Sequence, residues 1–507
     1  MKFSFTFLAL VLRIPAYAAE NEYALSDFST GPKAACAILK SRYPESTFLT
    51  NSSSYTTETQ QEYWSATAWS NPACVFVPRD AEEVASAVNI LTLTQSQFAV
   101  RSGGHMPIPG FNGINSDGIL LSTSDLTRIT LSDDRSVVSI GAGNRWREVY
   151  SYLAPFGLAA AGGRVGGVGV SGFTLGGGIS FYSSQVGFGA DTVVKFECVL
   201  ADGSIVEATA TNAYSDLFWA LKGGGNSFAI VTRFDYKTLT SPEVYVGVSQ
   251  YPEPQAHTYL EAVYNFGKYG LENTKAAIIP TIVRLPGANI TAYAAARFYD
   301  GNTENPRVFE NFTSPKLTPI VDGYTKQSLA DYVTQTDVLQ PTGLRQEFRT
   351  VSMVVDRKGM ELVHDIFLEK VNTELSGVAN LTSSITFQPI SAEFIRQGTQ
   401  NGGNPQAVGA HNAPYFWIVA NWSWTDKSND ELVADVADET VKELEIALSK
   451  NGVLATYQYL NDAGKGQKVF QGYPSVSVER LRRIRLKYDP LRIFTDMMPG
   501  GWKIDHI

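Results

Sequence analysis

The stretch from Gly162 to Phe181, GGRVGGVGVSGFTLGGGISF, contains the residue types that most clearly suggest chemistry. Within it, Gly167-Val168-Gly169-Val170-Ser171-Gly172 matches the spacing G-x-G-x-x-G. Glycines expose backbone amide groups with no side chain in the way, and such groups bind phosphate. The segment therefore indicates a site for a phosphate-bearing ligand, either as a Rossmann dinucleotide loop or in another arrangement.

A Rossmann loop requires a strand before the glycines and a helix that opens on the last of them. Asp191 lies at the spacing where an acidic residue would contact the ribose, but Gly176-Gly177-Gly178 follow the pattern closely. Each glycine costs a helix about 1 kcal/mol relative to alanine, so we expect three in a row to stop the helix that a Rossmann loop requires. The preceding Ala159–Gly163 is also a poor strand. Because apolar residues alternate with the glycines, a packed backbone close to a ligand fits better than a flexible loop.

His105 and Tyr459 are the other candidates for chemistry. His105 follows Arg101-Ser102-Gly103-Gly104 at the end of a strand-like run, and Tyr459 lies two residues before Asn461. A phenol has a pKa of about 10 and is a poor base at neutral pH unless its site lowers that value. The other histidines fit ordinary surface or hydrogen-bonded roles, and no Cys/His group has metal-ligand spacing, so we predict no metal site.

The length and composition of the chain indicate what kind of protein holds these residues. A chain of 507 residues, 44% hydrophobic and 18% charged, is long enough for two or three globular domains. The net charge is −9 and the isoelectric point is about 5.3. Since no block of Lys and Arg is present, we expect no nucleic-acid partner.

The N-terminus has the pattern of a secretory signal at residues 1–18. Lys2 precedes an apolar run, Phe3–Leu12, and Ala16-Tyr17-Ala18 offers small residues for cleavage after Ala18. The run is too short to span a bilayer, and no other long apolar stretch follows, so we predict a secreted protein without a membrane partner. Five sequons agree with that route, at Asn51, Asn289, Asn311, Asn380 and Asn421. Asn421 lies in a buried-strand pattern, and we predict that it is not glycosylated.

Three cysteines are present, and two of them are expected to pair in a secreted chain. Cys36 and Cys74 flank an N-terminal segment, whereas Cys198 lies in an apolar strand-like run. We therefore predict a Cys36–Cys74 disulfide and a buried, reduced Cys198.

Hydrophobic periodicity divides the chain into three parts. Strands and helices alternate from Asn71 to about Thr240, and long alternating stretches after Ser241 indicate an antiparallel sheet with helices between its strands. From Leu454 the pattern changes again. The clearest helices are predicted at Asp80–Leu93, Asn144–Leu153, Asp430–Leu448 and Val476–Tyr488, and a buried strand at Phe416–Trp422.

Three stretches resemble the FAD-binding core of the vanillyl-alcohol-oxidase superfamily, with its PCMH-type domain: Arg101–His105, Gly162–Phe181 and Asp216–Asn226. Three more resemble the berberine-bridge-enzyme-like branch in its secreted fungal form: Tyr459-Leu460-Asn461, Lys487–Phe494 and Pro499–Lys503. The resemblance implies an α+β fold, in which a two-subdomain FAD-binding domain joins a substrate domain with an antiparallel sheet covered by helices. After the signal at 1–18, the implied divisions are an FAD-binding domain at 19–240, a substrate-binding domain at 241–450 and a C-terminal segment, 451–507, that returns to the FAD-binding domain.

The resemblance further implies that the glycines bind the FAD pyrophosphate and that His105 is bonded covalently to the flavin 8α-methyl carbon. Such a bond keeps the cofactor in place and makes the flavin a stronger oxidant. The implied cofactor-binding residues are Arg101, Ser102, Gly103, Gly104, His105, Met106, Gly163, Val168, Gly169, Ser171, Gly172, Leu175, Gly176, Gly177, Gly178, Gly225, Asn226, Ile230, Val231, Tyr459 and Asn461. Many relatives add a cysteine bond to flavin C6, but Val165 occupies that position here. We therefore predict a single covalent link.

A second departure concerns the proton acceptor. Plant alkaloid-forming members carry a glutamate on a substrate-domain strand, but the corresponding stretch here, Phe394–Thr425, contains no Asp or Glu. Asn404 and Gln406 lie roughly where the acid would be, and an amide cannot take a proton. The remaining catalytic candidate is Tyr459, with Asn461 holding the loop or the flavin edge.

Two functions follow from the resemblance. The first is an oxidase that moves a hydride from an alcohol or amine carbon of a small molecule to flavin N5, with O₂ as acceptor and H₂O₂ as product. The second is a flavin-containing cyclase of secondary metabolism, which the missing acid favours, and a carbohydrate oxidase is a further alternative. Small Val168 near the flavin is compatible with oxygen access. We expect a monomer whose only partners are the substrate and O₂.

Overall fold

The computed structural model describes residues 30–409, 411 and 413–506, so the predicted signal sequence lies outside the described residues. The described chain has the predicted α+β fold, in which sheets and helices are mixed. None of its described helices combines the length and apolar character that a membrane span requires.

The first sheet has four strands in the order β1-β2-β4-β3. β2, β4 and β3 run parallel, and β1 is antiparallel to β2. The strands are β1 (Thr47–Leu49), β2 (Cys74–Phe76), β3 (Gln97–Arg101) and β4 (Gly118–Ser122), and the accompanying helices are α1 (Pro32–Arg42), α2 (Ser53–Thr56) and α3 (Ala81–Thr94). Asp80 caps α3, as predicted, because its Oδ1 accepts a hydrogen bond of 2.8 Å from the Glu83 amide. β3 ends directly before the Ser-Gly-Gly-His turn.

A disulfide joins Cys36 of α1 to Cys74 of β2, and Cys198 is a buried free thiol. Both observations confirm the sequence prediction. The bridge ties α1 to the first sheet and closes a loop across a separation of 38 residues.

Replacing Cys36 with serine is expected to lower the free energy of unfolding by about 3–4 kcal/mol, because the cross-link restricts the unfolded chain. Denaturant unfolding of the variant and the wild type measures this difference. The Cys36→Ser/Cys74→Ser double variant is the control, since it loses the same single bond and should be destabilised by a similar amount. Equal stability of wild type and variant would contradict a bridge at this position.

The second sheet has five antiparallel strands in the order β5-β6-β10-β8-β9. The strands of this region are β5 (Ile129–Leu131), β6 (Val137–Gly141), β7 (Leu158–Ala159), β8 (Val193–Val199), β9 (Ile205–Ala208), β10 (Ile230–Lys237) and β11 (Leu239–Thr240), of which β7 pairs with β11. Its helices are α4 (Trp146–Leu153), α5 (Val170–Leu175), α6 (Ser183–Val186) and α7 (Ser215–Leu221).

The glycine-rich segment contains the short helix α5, which begins inside the G-x-G-x-x-G pattern and is stopped by the run of three glycines, as expected. The helix starts after Gly169 and ends at Gly176, where the run of three glycines begins. The cost of successive glycines therefore limits the helix to a short one. Only the two-residue β7 precedes the segment, so the strand and long helix of a Rossmann unit are both missing from this part of the described chain.

The third sheet has nine antiparallel strands in the order β15-β12-β14-β13-β18-β19-β17-β20, with β16 also paired to β12. The strands are β12 (Val244–Tyr251), β13 (Ala276–Leu285), β14 (Ile290–Tyr299), β15 (Val321–Asp322), β16 (Thr325–Gln327), β17 (Arg345–Val354), β18 (Thr382–Ile390), β19 (Tyr415–Trp424) and β20 (Leu454–Ala455). The helices are α8 (Ala256–Tyr269), α9 (Leu329–Thr336), α10 (Arg357–Glu374), α11 (Ala392–Gln397) and α12 (Asp430–Lys450).

Strand alternation gives the third sheet two different faces. In β19, Phe416, Ile418 and Trp422 pack in the apolar core that α8, α10 and α12 cover. Val419 and Asn421 therefore point to the opposite face. This open face carries the polar and apolar side chains that line the site described below.

The C-terminal segment packs back on the first part of the chain through α13 (Ser475–Tyr488). Asp216 at the start of α7 accepts hydrogen bonds from Lys487 Nζ at 2.7 Å and from the Tyr488 hydroxyl at 2.6 Å. Farther along, the buried Lys503 donates to Asn226 Oδ1 at 2.9 Å. These bonds connect three of the sequence stretches on which the family resemblance was based.

Candidate functional site

A cavity of about 500 Å³ lies between the glycine-rich segments and the open face of the nine-stranded sheet. The glycine side comes from the turn after β3, the segment around α5, and the start of β10. The sheet side consists of Ile279, Thr281, Phe348, Ser384, Thr386, Gln388, Val419 and Asn421. The cavity therefore has a backbone-rich wall and a wall of mostly uncharged side chains.

All but three of the site residues predicted from the sequence line this cavity. They are Ser102, Gly103, Gly104, His105, Met106, Gly163, Val168, Gly169, Ser171, Gly172, Leu175, Gly176, Gly225, Asn226, Ile230, Val231, Tyr459 and Asn461. Residues far apart in the chain thus converge on one cavity.

Arg101, Gly177 and Gly178 do not line the cavity. Arg101 is buried behind the turn, where it bonds Glu58 and Ser122. Gly177 and Gly178 have φ angles of 101° and 83°, so they turn the chain away after α5. The structure gives these three residues a supporting position rather than a contact with the cavity.

The two glycine-rich turns lie directly against each other. A Cβ atom on Gly103 would lie 2.4 Å from Gly169 Cα, so only glycine allows this approach. The hydroxyls of Ser102 and Ser171 both donate to the Ala142 carbonyl, at 2.7 and 2.8 Å. One carbonyl of the chain after β6 therefore fixes both turns in register.

This wall fits the pyrophosphate of FAD. A Cβ atom on Gly172 would meet nothing within 4 Å, so the backbone there is open to the cavity. Among the described residues the cavity is lined by a single carboxylate, Asp462, which belongs to the C-terminal segment and not to the glycine-rich turns. Backbone groups free of side chains and free of competing negative charge are what a phosphate needs.

His105 lies where the glycine wall meets the sheet. Its ring stacks on Trp64, with ring centroids 4.2 Å apart and planes at 9°. Burial, together with the nearby Arg145 guanidinium, lowers the pKa of His105 to about 4. The imidazole is therefore neutral at physiological pH, the form that carries a nucleophilic nitrogen. Val165 also lines the cavity, and no described cysteine does.

Tyr459 and Asn461 close the cavity from the C-terminal side. The Tyr459 hydroxyl accepts hydrogen bonds from the Ile179 amide at 3.1 Å and from Asn461 Nδ2 at 3.0 Å. Asn461 Nδ2 also donates to the Phe173 carbonyl at 3.0 Å, so Asn461 ties the C-terminal segment to α5. Burial raises the pKa of Tyr459 above its usual value, which makes the phenolate scarce at neutral pH.

The polar residues of the cavity that sequence reasoning missed include Arg164, Gln388 and Asp462, which are linked by hydrogen bonds. Gln388 Nε2 donates to Asp462 Oδ2 at 2.7 Å, and Arg164 Nη2 donates to Gln388 Oε1. Burial raises the pKa of Asp462 to about 6. Asp462 could have been found, because it directly follows the Tyr-x-Asn pattern.

Asn404 and Gln406 do not take the place of the missing acid. Both are buried outside the cavity lining. Asn404 Nδ2 donates to both carboxylate oxygens of Asp191, and Gln406 Oε1 accepts from the Tyr457 hydroxyl. The expectation that these two amides lie where the acid would face the substrate is therefore not supported by their positions.

The chain is similar in sequence to known FAD-binding proteins. Residues 72–209 match the family of FAD binding domains. An FAD-dependent monooxygenase of Arthrobotrys oligospora is 34% identical over 484 residues, which cover 94% of this chain and 90% of the relative. The FAD-dependent monooxygenase prx3 of Penicillium roqueforti is 35% identical over 486 residues, 93% of each chain.

Solved structures share the fold at low sequence identity. The xylooligosaccharide oxidase of Myceliophthora thermophila, in complex with xylobiose, has a TM-score of 0.75 at 19% identity and covers 92% of this chain and 100% of its own. The berberine-bridge-enzyme-like protein 1 of Physcomitrella patens has a TM-score of 0.71 at 19% identity, covering 94% and 99%.

A third structure, the glucooligosaccharide oxidase of Acremonium strictum with a 6-S-cysteinyl, 8α-N1-histidyl FAD, has a TM-score of 0.70 at 19% identity and covers 92% and 100%. The motifs, the cavity and the relatives agree. The chain belongs to the family of FAD-binding oxidoreductases that includes these fungal FAD-dependent monooxygenases, and it shares the fold of the berberine-bridge-enzyme-like protein.

Proposed function

We propose that this protein is a secreted FAD-dependent oxidase that acts on an alcohol or amine carbon of a small molecule, with FAD bonded to His105. The observation that carries the proposal is the continuity of one cavity. It extends from the glycine-rich turns, past His105, to the polar open face of the nine-stranded sheet. A cofactor wall and a substrate wall thus face each other across the same space.

When bound, the flavin would accept a hydride from a substrate C–H bond and pass the electrons to O₂. The chain supplies binding and orientation. Backbone groups at Gly103, Gly169 and Gly172 would hold the pyrophosphate, and the neutral imidazole of His105 would carry the covalent bond. The side chains of β13, β18 and β19 that line the cavity would orient the substrate.

Several features support an oxidase. Small Val168 lines the cavity, which is compatible with the access of O₂, and solved structures with this fold include oxidases of xylooligosaccharides and glucooligosaccharides. The Cys36–Cys74 disulfide is typical of an oxidising compartment, which supports secretion. The cyclase alternative was favoured by the missing acid, and that argument is lost because Asp462 lines the cavity.

The lining suggests the kind of substrate. Thr281, Ser384 and Asn421 offer uncharged hydrogen-bonding groups, whereas Ile279 and Val419 are apolar. Such a surface suits a small, mostly neutral molecule with both hydroxyl and apolar parts, which agrees with a secondary metabolite.

A screen of alcohols, amines, phenols and sugars for peroxide release under ¹⁸O₂ tests the proposed function. We expect at least one compound to reduce the flavin anaerobically, and its turnover in labelled oxygen to give labelled H₂O₂ with an unlabelled product. Incorporation of ¹⁸O into the product would contradict the oxidase and indicate a monooxygenase. Product formation without oxygen consumption would instead favour the cyclase.

A further inference from the structure

We propose that Asp462, and not Tyr459, accepts the proton of the substrate, and that Gln388 and Arg164 are positioning residues for its carboxylate. This inference rests on the proposed function, because it names the group that completes the oxidation. The three residues come from the C-terminal segment, from β18 and from the glycine-rich segment, and all three line the cavity.

The hydrogen bonds give the Asp462 carboxylate a defined orientation. Oδ2 accepts from Gln388 Nε2 at 2.7 Å, and the Gln388 amide is itself fixed because its Oε1 accepts from Arg164. Oδ1 accepts no hydrogen bond from any described residue and is not among the fully buried unpaired atoms. One carboxylate oxygen is therefore held by the protein while the other is available to a ligand in the cavity.

Few charged side chains line the cavity near Asp462. Among the described residues that line it, Asp462 is the single carboxylate and Arg164 the single guanidinium. Arg164 forms no ion pair with a described carboxylate; its hydrogen bond goes to Gln388, and its charge opposes through space the burial that raises the pKa of Asp462. A direct Arg–Asp pair would stabilise the carboxylate strongly and make it a weaker base.

The other charged and titratable groups packed nearby do not replace Asp462. Its own segment contributes the buried phenols of Tyr457 and Tyr459, and β17 contributes Arg349, which is paired with Glu347 and Asp438. Neither phenol provides a base at neutral pH, because burial raises the pKa of both above the ordinary value.

The acid–base properties of Asp462 and Tyr459 also favour Asp462 as the proton acceptor. A carboxyl with a pKa of about 6 is ionised at neutral pH and still basic enough to take a proton efficiently. The Tyr459 hydroxyl already accepts two N–H groups, which leaves little acceptor capacity for a substrate proton. Tyr459 is better placed to join the C-terminal segment to the turn at Ile179.

In the proposed step, the proton and the hydride of the substrate go to different acceptors. For an alcohol, the O–H proton moves to Asp462 Oδ1 while the C–H hydrogen leaves with its two electrons to the oxidant named in the proposed function. The alcohol becomes a carbonyl compound, and the second carbon–oxygen bond forms from the electrons of the O–H bond. The proton on Asp462 then returns to solvent, and O₂ finally takes the two electrons with two protons to give H₂O₂.

The test compares Asp462→Asn, Tyr459→Phe and Asp191→Asn holoenzymes in anaerobic flavin reduction by the compound that is fastest in the screen. Wild-type reduction should be slow below pH 6 and rise to a plateau above it, because only the carboxylate accepts a proton. Asp462→Asn should slow reduction by about 10²- to 10⁴-fold and abolish this dependence. Tyr459→Phe should retain the pH dependence. Loss of the dependence in Tyr459→Phe with its retention in Asp462→Asn would overturn the proposal.

Asp191 is the matched control. Burial also raises the pKa of its carboxyl to about 6, but it pairs with Lys222 and Asn404 and does not line the cavity. Asp191→Asn should therefore keep the wild-type rate and pH dependence. If that variant fails to fold, Asp462→Glu serves instead and should restore measurable reduction that Asp462→Asn lacks.

A readout independent of turnover separates this inference from the proposed function. Infrared difference spectra of holoenzyme between pH 5 and pH 7 should contain a carboxylic acid C=O band that Asp462→Asn removes and Asp191→Asn leaves in place. Absence of an Asp462-dependent band would overturn the inference even if the oxidase activity is found. If the band is present but no compound in the screen reduces the flavin, the proposed function fails while the titrating carboxyl in the cavity stands.

Discussion

Replacing His105 with alanine is expected to reduce the covalently bound flavin from one per chain to none. His105 lines the cavity, its ring is held against Trp64, and its imidazole is neutral because burial lowers its pKa. No described cysteine lines the cavity to provide a second bond. Acid precipitation followed by flavin fluorescence of the denatured pellet measures the loss.

The matched control for this prediction is His257→Ala, since His257 is an exposed histidine of α8. That variant should keep its covalent flavin. Flavin that stays attached to the His105→Ala chain after denaturation would contradict a single link through His105.

Replacing Gly172 with leucine is expected to prevent FAD binding without unfolding the protein. The open space at the Gly172 backbone is part of the cavity, so a leucine side chain there would occupy the volume that the cofactor needs. Gly172 lies within α5, and leucine favours a helix over glycine by about 0.5–1 kcal/mol. Purified Gly172→Leu protein should therefore be colourless, and its circular dichroism spectrum should match that of flavin-free wild type.

Gly167→Leu provides the control. A Cβ atom on Gly167 also meets nothing within 4 Å, but Gly167 does not line the cavity. Its variant should bind FAD normally. Equal flavin content in the two variants would show that the cofactor does not use the wall formed by α5.

The parts of the fold that could be predicted are those in which a local sequence pattern is compatible with only one kind of element. The helix at Asp430–Lys450 carries its apolar residues on one side, and the strand at Tyr415–Trp424 is an apolar run typical of a buried strand. The Cys36–Cys74 bridge followed from cysteine count and compartment. The short α5 was missed because the packing of Val170 and Phe173 compensates locally for the glycine beside them.

The site was predictable only in part, for a different reason. Motif residues such as Gly103, Gly169 and His105 lie in continuous stretches that sequence reading can detect. Arg164, Gln388 and Asp462 meet only because the register of β18 and the return of the C-terminal segment bring them together. No spacing in the sequence encodes such a contact, so the carboxylate of the cavity was sought in the stretch Phe394–Thr425, where none exists.

A peptide mass map of the purified protein tests most directly whether the cavity is a flavin site bonded at His105. The protein is digested under conditions that keep the flavin bond, and the modified peptides are sequenced by tandem mass spectrometry. We expect one peptide, containing His105, to be heavier by the mass of the flavin, with no modification on the peptide that contains Val165. Unmodified His105 in a yellow protein, or a protein without any flavin, would contradict this assignment.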